Sequence, residues 1–234
     1  MRQYVRQKYR QDLAGLKDLD PRPLARLLRG EVLEECPYAT IRWVLRLAPF
    51  RPLELYWLFD FDEEFGHDLH LLFAPKSRAV PTEDAYVFAW DYLALLARYG
   101  RGAFPLVDRG PGPEWLLFGD FASQAGPLQD VSLGPRRELL SLVAFEVAEV
   151  AVARMDCGRA WAWPGGWEVV WPVLGDLAMR LSCFAQSPEV AFDSHGAQKY
   201  EPEFLMSFAW LYINAFLREC RQVEPSLPRL SEYL

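Results

Sequence analysis

The sequence predicts an α+β protein with an internal duplication, two pseudo-symmetric halves that each run helix, antiparallel strands, helix. Three observations carry that expectation. Segments of strict two-residue apolar alternation are bracketed by segments with the period of an amphipathic helix. Glu83, Phe88, Ala89, Trp90, Tyr92 and Arg98 recur 120 positions later as Glu203, Phe208, Ala209, Trp210, Tyr212 and Arg218. A chain of 234 residues with 51% hydrophobic side chains has the material for a large buried core.

Residues 1 to 29 pattern as helix, with Leu13, Leu16, Leu19, Leu24, Leu27 and Leu28 apolar among charges and Pro21 and Pro23 dividing it in two. Asp20 reads as the N-cap of the second piece and Gly30 as its end. Ile41, Trp43, Leu45 and Leu47 share one parity while Arg42 and Arg46 take the other, the pattern of a half-buried strand. After a turn at Pro49 to Pro52, Leu53, Leu55, Trp57 and Phe59 repeat the pattern in a strand expected to pair antiparallel with the first. An acidic connection, reversed at Gly66, leads to a third strand over 69–73. Thr82 reads as the N-cap of a helix that has Glu83 and Asp84 in its first turn and ends at Gly100.

A first repeat over 1–100 is joined to a second over 136–234 by a Gly/Pro-dense connection, 101–135, which holds Gly110-Pro111-Gly112-Pro113 and one short strand over 114–118. The second repeat is expected to open with one long helix over 135–155. Strands over 159–163 and 167–173 then flank Pro164-Gly165-Gly166. A strand over 176–184, a loop, and a last helix from Pro202 to about Glu219 complete it.

The net charge of -7 and a pI near 5.1 speak against nucleic acid, whose affinity for proteins comes mostly from cations on phosphates. Arg2, Arg6, Lys8 and Arg10, with Tyr4 and Tyr9, are a local basic exception, read as a solvated helix face with a docking arm as the alternative. The apolar run from Leu139 to Met155 is broken by Glu146, Glu149 and Arg154 and is no membrane span. No signal-peptide pattern is visible, so a cytoplasmic location is expected. Cys36, Cys157, Cys183 and Cys220 form no C-x-x-C pair and read as reduced, mostly buried thiols.

Chemistry-bearing side chains crowd together once, in Asp60, Asp62, Glu63, Glu64, His67, Asp68 and His70. Carboxylates and imidazoles on a tight loop suit a divalent metal or acid-base chemistry, but the spacing matches neither a calcium loop nor a helical zinc motif. A solvated acidic hairpin tip is the favoured reading. Trp161, Trp163, Trp167 and Trp171 share parity along one hairpin, which predicts one heavily aromatic face, for core packing first and a binding surface second. Asp193-Ser194-His195 has the residue types of a hydrolase triad, yet adjacent residues do not assemble one, and no nucleophile elbow, phosphate loop or dinucleotide motif occurs.

Trp57-Leu58-Phe59-Asp60-Phe61-Asp62-Glu63-Glu64-Phe65, then Leu71-Leu72-Phe73 and Pro81-Thr82-Glu83-Asp84, resemble a motif of an uncharacterised bacterial and archaeal family, a domain of unknown function. In that motif a Trp precedes an Asp-Glu-Glu-Phe stretch, a Leu-Phe-Asp strand end and a Pro-Thr-Glu-Asp helix start; here Ala74 stands in place of the strand-ending Asp. The resemblance implies no particular activity.

The acidic balance, the aromatic surplus of nine Trp and the lack of an assembled catalytic motif predict a protein that binds another protein or itself. The rival readings are a metal-binding protein or metal-dependent enzyme centred on residues 60 to 70, and a small-ligand cleft between the halves.

Overall fold

The computed structural model describes residues 9–36, 38–102, 114–117 and 133–232. Arg2, Tyr4, Arg6, Lys8 and the Gly110-Pro111-Gly112-Pro113 run lie outside the described residues. The chain divides into two compact units, 1–108 and 109–234, and both carry helices and antiparallel sheet. No described helix is long and apolar enough to cross a membrane.

The first unit opens with α1 (Arg10–Ala14) and α2 (Pro21–Leu27). Asp20 caps α2 by accepting a hydrogen bond from the Arg22 amide at 3.0 Å. Leu13, Leu16, Leu24, Leu27 and Leu28 are buried, whereas Leu19 is exposed. Four strands follow as an antiparallel meander: β1 (Glu31–Leu33), β2 (Ile41–Phe50), β3 (Leu53–Asp62) and β4 (Gly66–Phe73). β1 is too short to show a period. A 3-10 helix, Pro75–Ala79, then turns the chain into α3 (Thr82–Gly100). Thr82 is the first helical residue and not the cap; Pro81 holds the cap position with no side-chain hydrogen bond.

Phe88, Ala89, Tyr92, Leu93 and Leu96 of α3 are buried, as are Leu45, Leu47, Leu55, Trp57 and Phe59 on the inner face of the sheet. Phe88 meets Phe50 of β2 edge-on, with ring centroids 5.3 Å apart. A Cβ on Gly15 would stand 2.1 Å from the Gly100 carbonyl oxygen, and one on Gly100 would stand 2.2 Å from that of Asp12. Glycine at both positions therefore lets the chain after α1 touch the end of α3 backbone to backbone. The alternation of β2 is interrupted by a register shift between Ile41 and Trp43. Ile41 pairs with Asp60 and clusters with Val44 and Leu58, so it leaves the face it was expected to share with Trp43.

The second unit has two helices, α4 (Gly134–Ser141) and α5 (Phe145–Met155), where one was expected over 135–155. No Pro or Gly marks the break; tertiary partners hold it. The Val143 carbonyl accepts a hydrogen bond from Trp167 Nε1 at 2.8 Å, and the Leu140 carbonyl accepts a weak one from Cys183 Sγ at 3.9 Å. The strands are β5 (Trp115–Leu117), β6 (Arg159–Trp163), β7 (Gly166–Leu174), β8 (Leu177–Phe184) and β9 (Ser187–Asp193), in sheet order β5-β9-β8-β7-β6. β9 replaces an expected loop. Ser187, Pro188 and Glu189 hide it in the sequence, but Val190, Ala191 and Phe192 are buried and Pro188 sits at the strand's start, where a missing N–H is tolerated.

After β9 come a short helix, α6 (Ser194–Ala197), the long α7 (Pro202–Val223) and a 3-10 helix, Leu230–Glu232. Phe216 of α7 packs against Trp171 and Trp167 with centroids 5.5 and 5.9 Å away, and Tyr212 lies 6.2 Å from Trp171. We expect Trp167→Phe to lower stability by about 1–2 kcal/mol by leaving the Val143 carbonyl without its donor. Urea unfolding followed by far-UV circular dichroism measures this, and an unchanged midpoint would show that the helix break does not depend on that bond.

Candidate functional site

The acidic and histidine residues lie on the β3-β4 hairpin of the first unit, and the hairpin sorts them onto different surfaces. β3 extends to Asp62, three residues beyond the apolar alternation, and pairs Asp60 with Asp68, Phe61 with His67 and Asp62 with Gly66. Odd positions face inward and even positions outward. His67 therefore lies on the inner face, stacked at 6.3 Å on Phe59, which itself stacks on Trp43 at 5.2 Å. His70 lies on the outer face. Its Nε2 is 3.3 Å from Asp60 Oδ2 and 3.8 Å from Asp68 Oδ2.

Asp62 belongs to the turn: its Oδ1 accepts hydrogen bonds from the Glu64 and Phe65 amides at 2.8 and 3.0 Å. Glu63 and Glu64 are exposed at the tip, and Gly66 takes φ 79°, which favours glycine. The seven residues thus contribute one outer trio, one stacked ring and a capped turn, not a converging set. Among the described residues, no three His, Cys, Asp or Glu side chains are grouped so as to hold a metal ion. His70 has a plain structural use, because Asp60 and Asp68 stand directly across from each other and like charges in that position repel.

A denser polar cluster occupies the other end of the same outer face. Glu54 is buried, and its carboxylate accepts a hydrogen bond from Arg46 Nε at 2.8 Å and contacts from Lys76 Nζ and the Tyr56 hydroxyl. Arg46 Nη1 donates to Glu31 at 2.6 Å, and Ser77 Oγ accepts from the Glu54 amide at 2.9 Å while donating to its carbonyl at 2.8 Å. The Arg46 hydrogen bond, supported by Lys76 and Tyr56, holds the Glu54 carboxyl down at about 2, and Glu54 in turn raises Arg46 and Tyr56. A carboxylate with three donors, locked in its ionised form, is a poor proton donor and holds the sheet to the 3-10 helix instead. Arg46 and Glu54 carry the only sequence signal, opposite charges flanking a turn on strands expected to pair.

Beside this cluster a groove of about 390 Å³ is lined by Phe73, Pro75, Arg78, Val80, Ala85 and Tyr86, among others. Phe73 and Tyr86 are 42% and 46% exposed there, which is high for aromatic side chains.

In the second unit the four hairpin tryptophans do not share a face. Trp163 pairs with Gly166 and Trp161 with Glu168 across a turn of two residues, so odd positions of β6 lie level with even positions of β7. Trp167 and Trp171 consequently turn into the core while Trp161 and Trp163 face outward. Phe184, paired with Gly166 on its other side, shares the outer face with Trp163.

Asp193-Ser194-His195 forms a helix start. Asp193 is fully buried and accepts from the Gly196 amide at 2.8 Å and the Ala178 amide at 2.6 Å, tying β9, α6 and β8 together. None of the four cysteines is in a disulfide; Cys183 and Cys220 are buried with thiols pushed up by burial, Cys157 is half-buried and Cys36 is exposed.

Two outcomes are expected from these clusters. Glu54→Gln should cost about 1–3 kcal/mol at neutral pH, since Lys76 loses its counter-charge and Arg46 keeps only Glu31. Because the folded carboxyl titrates near 2 and the unfolded one near 4.5, this stabilisation is present above 4.5 and lost as pH falls toward 2. Denaturant midpoints of the two proteins should therefore converge over that range; a gap independent of pH would assign the loss to packing. His70→Ala should cost about 0.5–1 kcal/mol by leaving Asp60 facing Asp68, a loss that added salt partly restores in thermal unfolding. No protein-family model matches the sequence, and no curated protein matches it.

Proposed function

We propose that the chain is a non-enzymatic protein-binding module that associates with a second copy of itself through the outer edge of β6. The observation that carries this reading is the exposure of Trp161 and Trp163, 39% and 52%, on a strand that no other described strand covers, next to Phe184 on the same face. Bulky indoles on an open edge are the side chains that interfaces favour and that solitary surfaces avoid.

The sequence of β6, Arg-Ala-Trp-Ala-Trp, is suited to pairing with itself. Antiparallel pairing of two copies about Trp161 would set Arg159 of one copy against Trp163 of the other, twice, with a cation over an indole each time. Four cysteines outside any disulfide fit a reducing, cytoplasmic setting for such a module.

An internal duplication belongs to the same reading. Two helices, a meander of four strands, a short helix and a long helix recur in both units in that order. Phe88, Ala89 and Tyr92 are buried in one long helix and Phe208, Ala209 and Tyr212 in the other. Trp43 and Trp167 open the apolar rows of β2 and β7 in the same way.

The reading is tested by sedimentation velocity over a range of concentrations. The wild type should form a dimer, and W161K/W163K should raise its dissociation constant at least about tenfold without changing the folded spectrum, because both side chains point away from the core. A wild type that stays monomeric at every concentration removes the self-association reading.

A further inference from the structure

The two sheets differ at one edge. In the second unit the last strand of the meander, β9, is covered by β5, which runs antiparallel with Trp115 opposite Asp193, Leu116 opposite Phe192 and Leu117 opposite Ala191. The Ser194 amide extends this pairing by donating to the Glu114 carbonyl at 2.8 Å. In the first unit the last strand of the meander is β4, and among the described residues it pairs with β3 alone.

The open edge of β4 is guarded along only half its length. Near the turn, Asp68 Oδ1 accepts a hydrogen bond from the Leu69 amide at 3.0 Å, and Glu63 and Glu64 crowd the tip with negative charge. Toward the other end no such device appears among the described residues. The Ala74 amide donates to the Glu54 carbonyl at 3.0 Å, which puts the even positions of β4 in register with β3. By the alternation of an antiparallel ladder, the amides and carbonyls of Leu71 and Phe73 point to the open side. Leu72 is 55% exposed between them. This is the same end at which β5 covers β9, immediately before the short helix.

We propose that this edge of β4 takes up an extended segment of a partner protein as a fifth, antiparallel strand, an apolar triplet preceded by an acid. The chain's own Glu114-Trp115-Leu116-Leu117 on β9 is the pattern for that segment. The alternating side chain that turns inward enters the 390 Å³ groove between Phe73, Val80, Ala85 and Tyr86. Main-chain hydrogen bonds supply affinity in such strand addition, and the pocket supplies selection. The acid is called for by charge: in a chain of net charge -7, Arg78 of the 3-10 helix lines the groove, while Lys76 beside it is taken by Glu54. The inference goes beyond self-association and uses a different surface, so substitutions at Trp161 and Trp163 leave it untouched.

The test uses the full chain and a fluorescein-labelled synthetic peptide with the sequence of residues 113–118, Pro-Glu-Trp-Leu-Leu-Phe. Saturable binding is expected by anisotropy, with slowed amide exchange at Leu71 and Phe73. L71P removes an amide from the open side while leaving the bonds to β3, and should weaken binding at least about tenfold with little change in thermal midpoint. Y86K closes the groove without touching the strand and should also weaken binding, which keeps the test decisive if L71P proves unstable. The proposal is overturned by a wild type that does not bind, by equal binding to both variants, or by protection at Phe192 in place of Leu71. It is overturned as well if L71P abolishes dimerisation of the chain, since that assigns the edge to a second copy.

Discussion

Each long helix, α3 and α7, carries a Phe and a Tyr four residues apart, stacked with centroids 6.3 Å apart in one and 6.4 Å in the other, and all four rings are wholly buried. Burial of such a side chain stabilises by about 1.5–3 kcal/mol, against about 0–1 kcal/mol for a surface ion pair, so the aromatic face has first claim on the orientation of the helix. The inner rows of the two sheets are what this face requires: Leu45, Leu47, Leu55, Trp57 and Phe59 in one unit, Trp167, Val169, Trp171, Met179 and Leu181 in the other. Once these rows turn inward, side-chain alternation leaves every intervening residue on the outside.

What stands on those outer faces differs between the units although the element order agrees. The first sheet carries Glu31, Arg46, Glu54 and Tyr56 in one polar cluster joined by Lys76 of the 3-10 helix, with Asp60, Asp68 and His70 at the far end. The second carries Trp161, Trp163 and Phe184, with Arg180 lying over Trp115 at 4.9 Å. The same burial constraint thus supports two surfaces of opposite chemistry. A polar face whose charges are already neutralised within the sheet is fit for stability, whereas exposed indoles on a strand edge are fit for association.

The edges follow a similar division. β5 was legible as a strand from Glu-Trp-Leu-Leu-Phe, but only the fold assigns it to β9, because strand pairing across about 75 residues leaves no local trace. Asp193 was legible as part of a triad-like run. Its actual use, holding the Ala178 and Gly196 amides together, depends on β8 lying beside β9.

By itself the sequence determined the mixture of helices with antiparallel sheet, the apolar rows of β2, β3 and β7, the Asp20 cap, and both long helices, because each of these follows from the local pattern of the backbone that carries it. The tertiary structure alone decided β1 and β9, the break between α4 and α5, the slip that moves Ile41 to the outer face, and the dispersal of the acidic and histidine run. It also separated Trp161 and Trp163 from Trp167 and Trp171. The physical reason is common to these cases. Period is written residue by residue, whereas register is set by turn length, bulges and distant partners, and a shift of one residue exchanges the buried face of a strand for the exposed one.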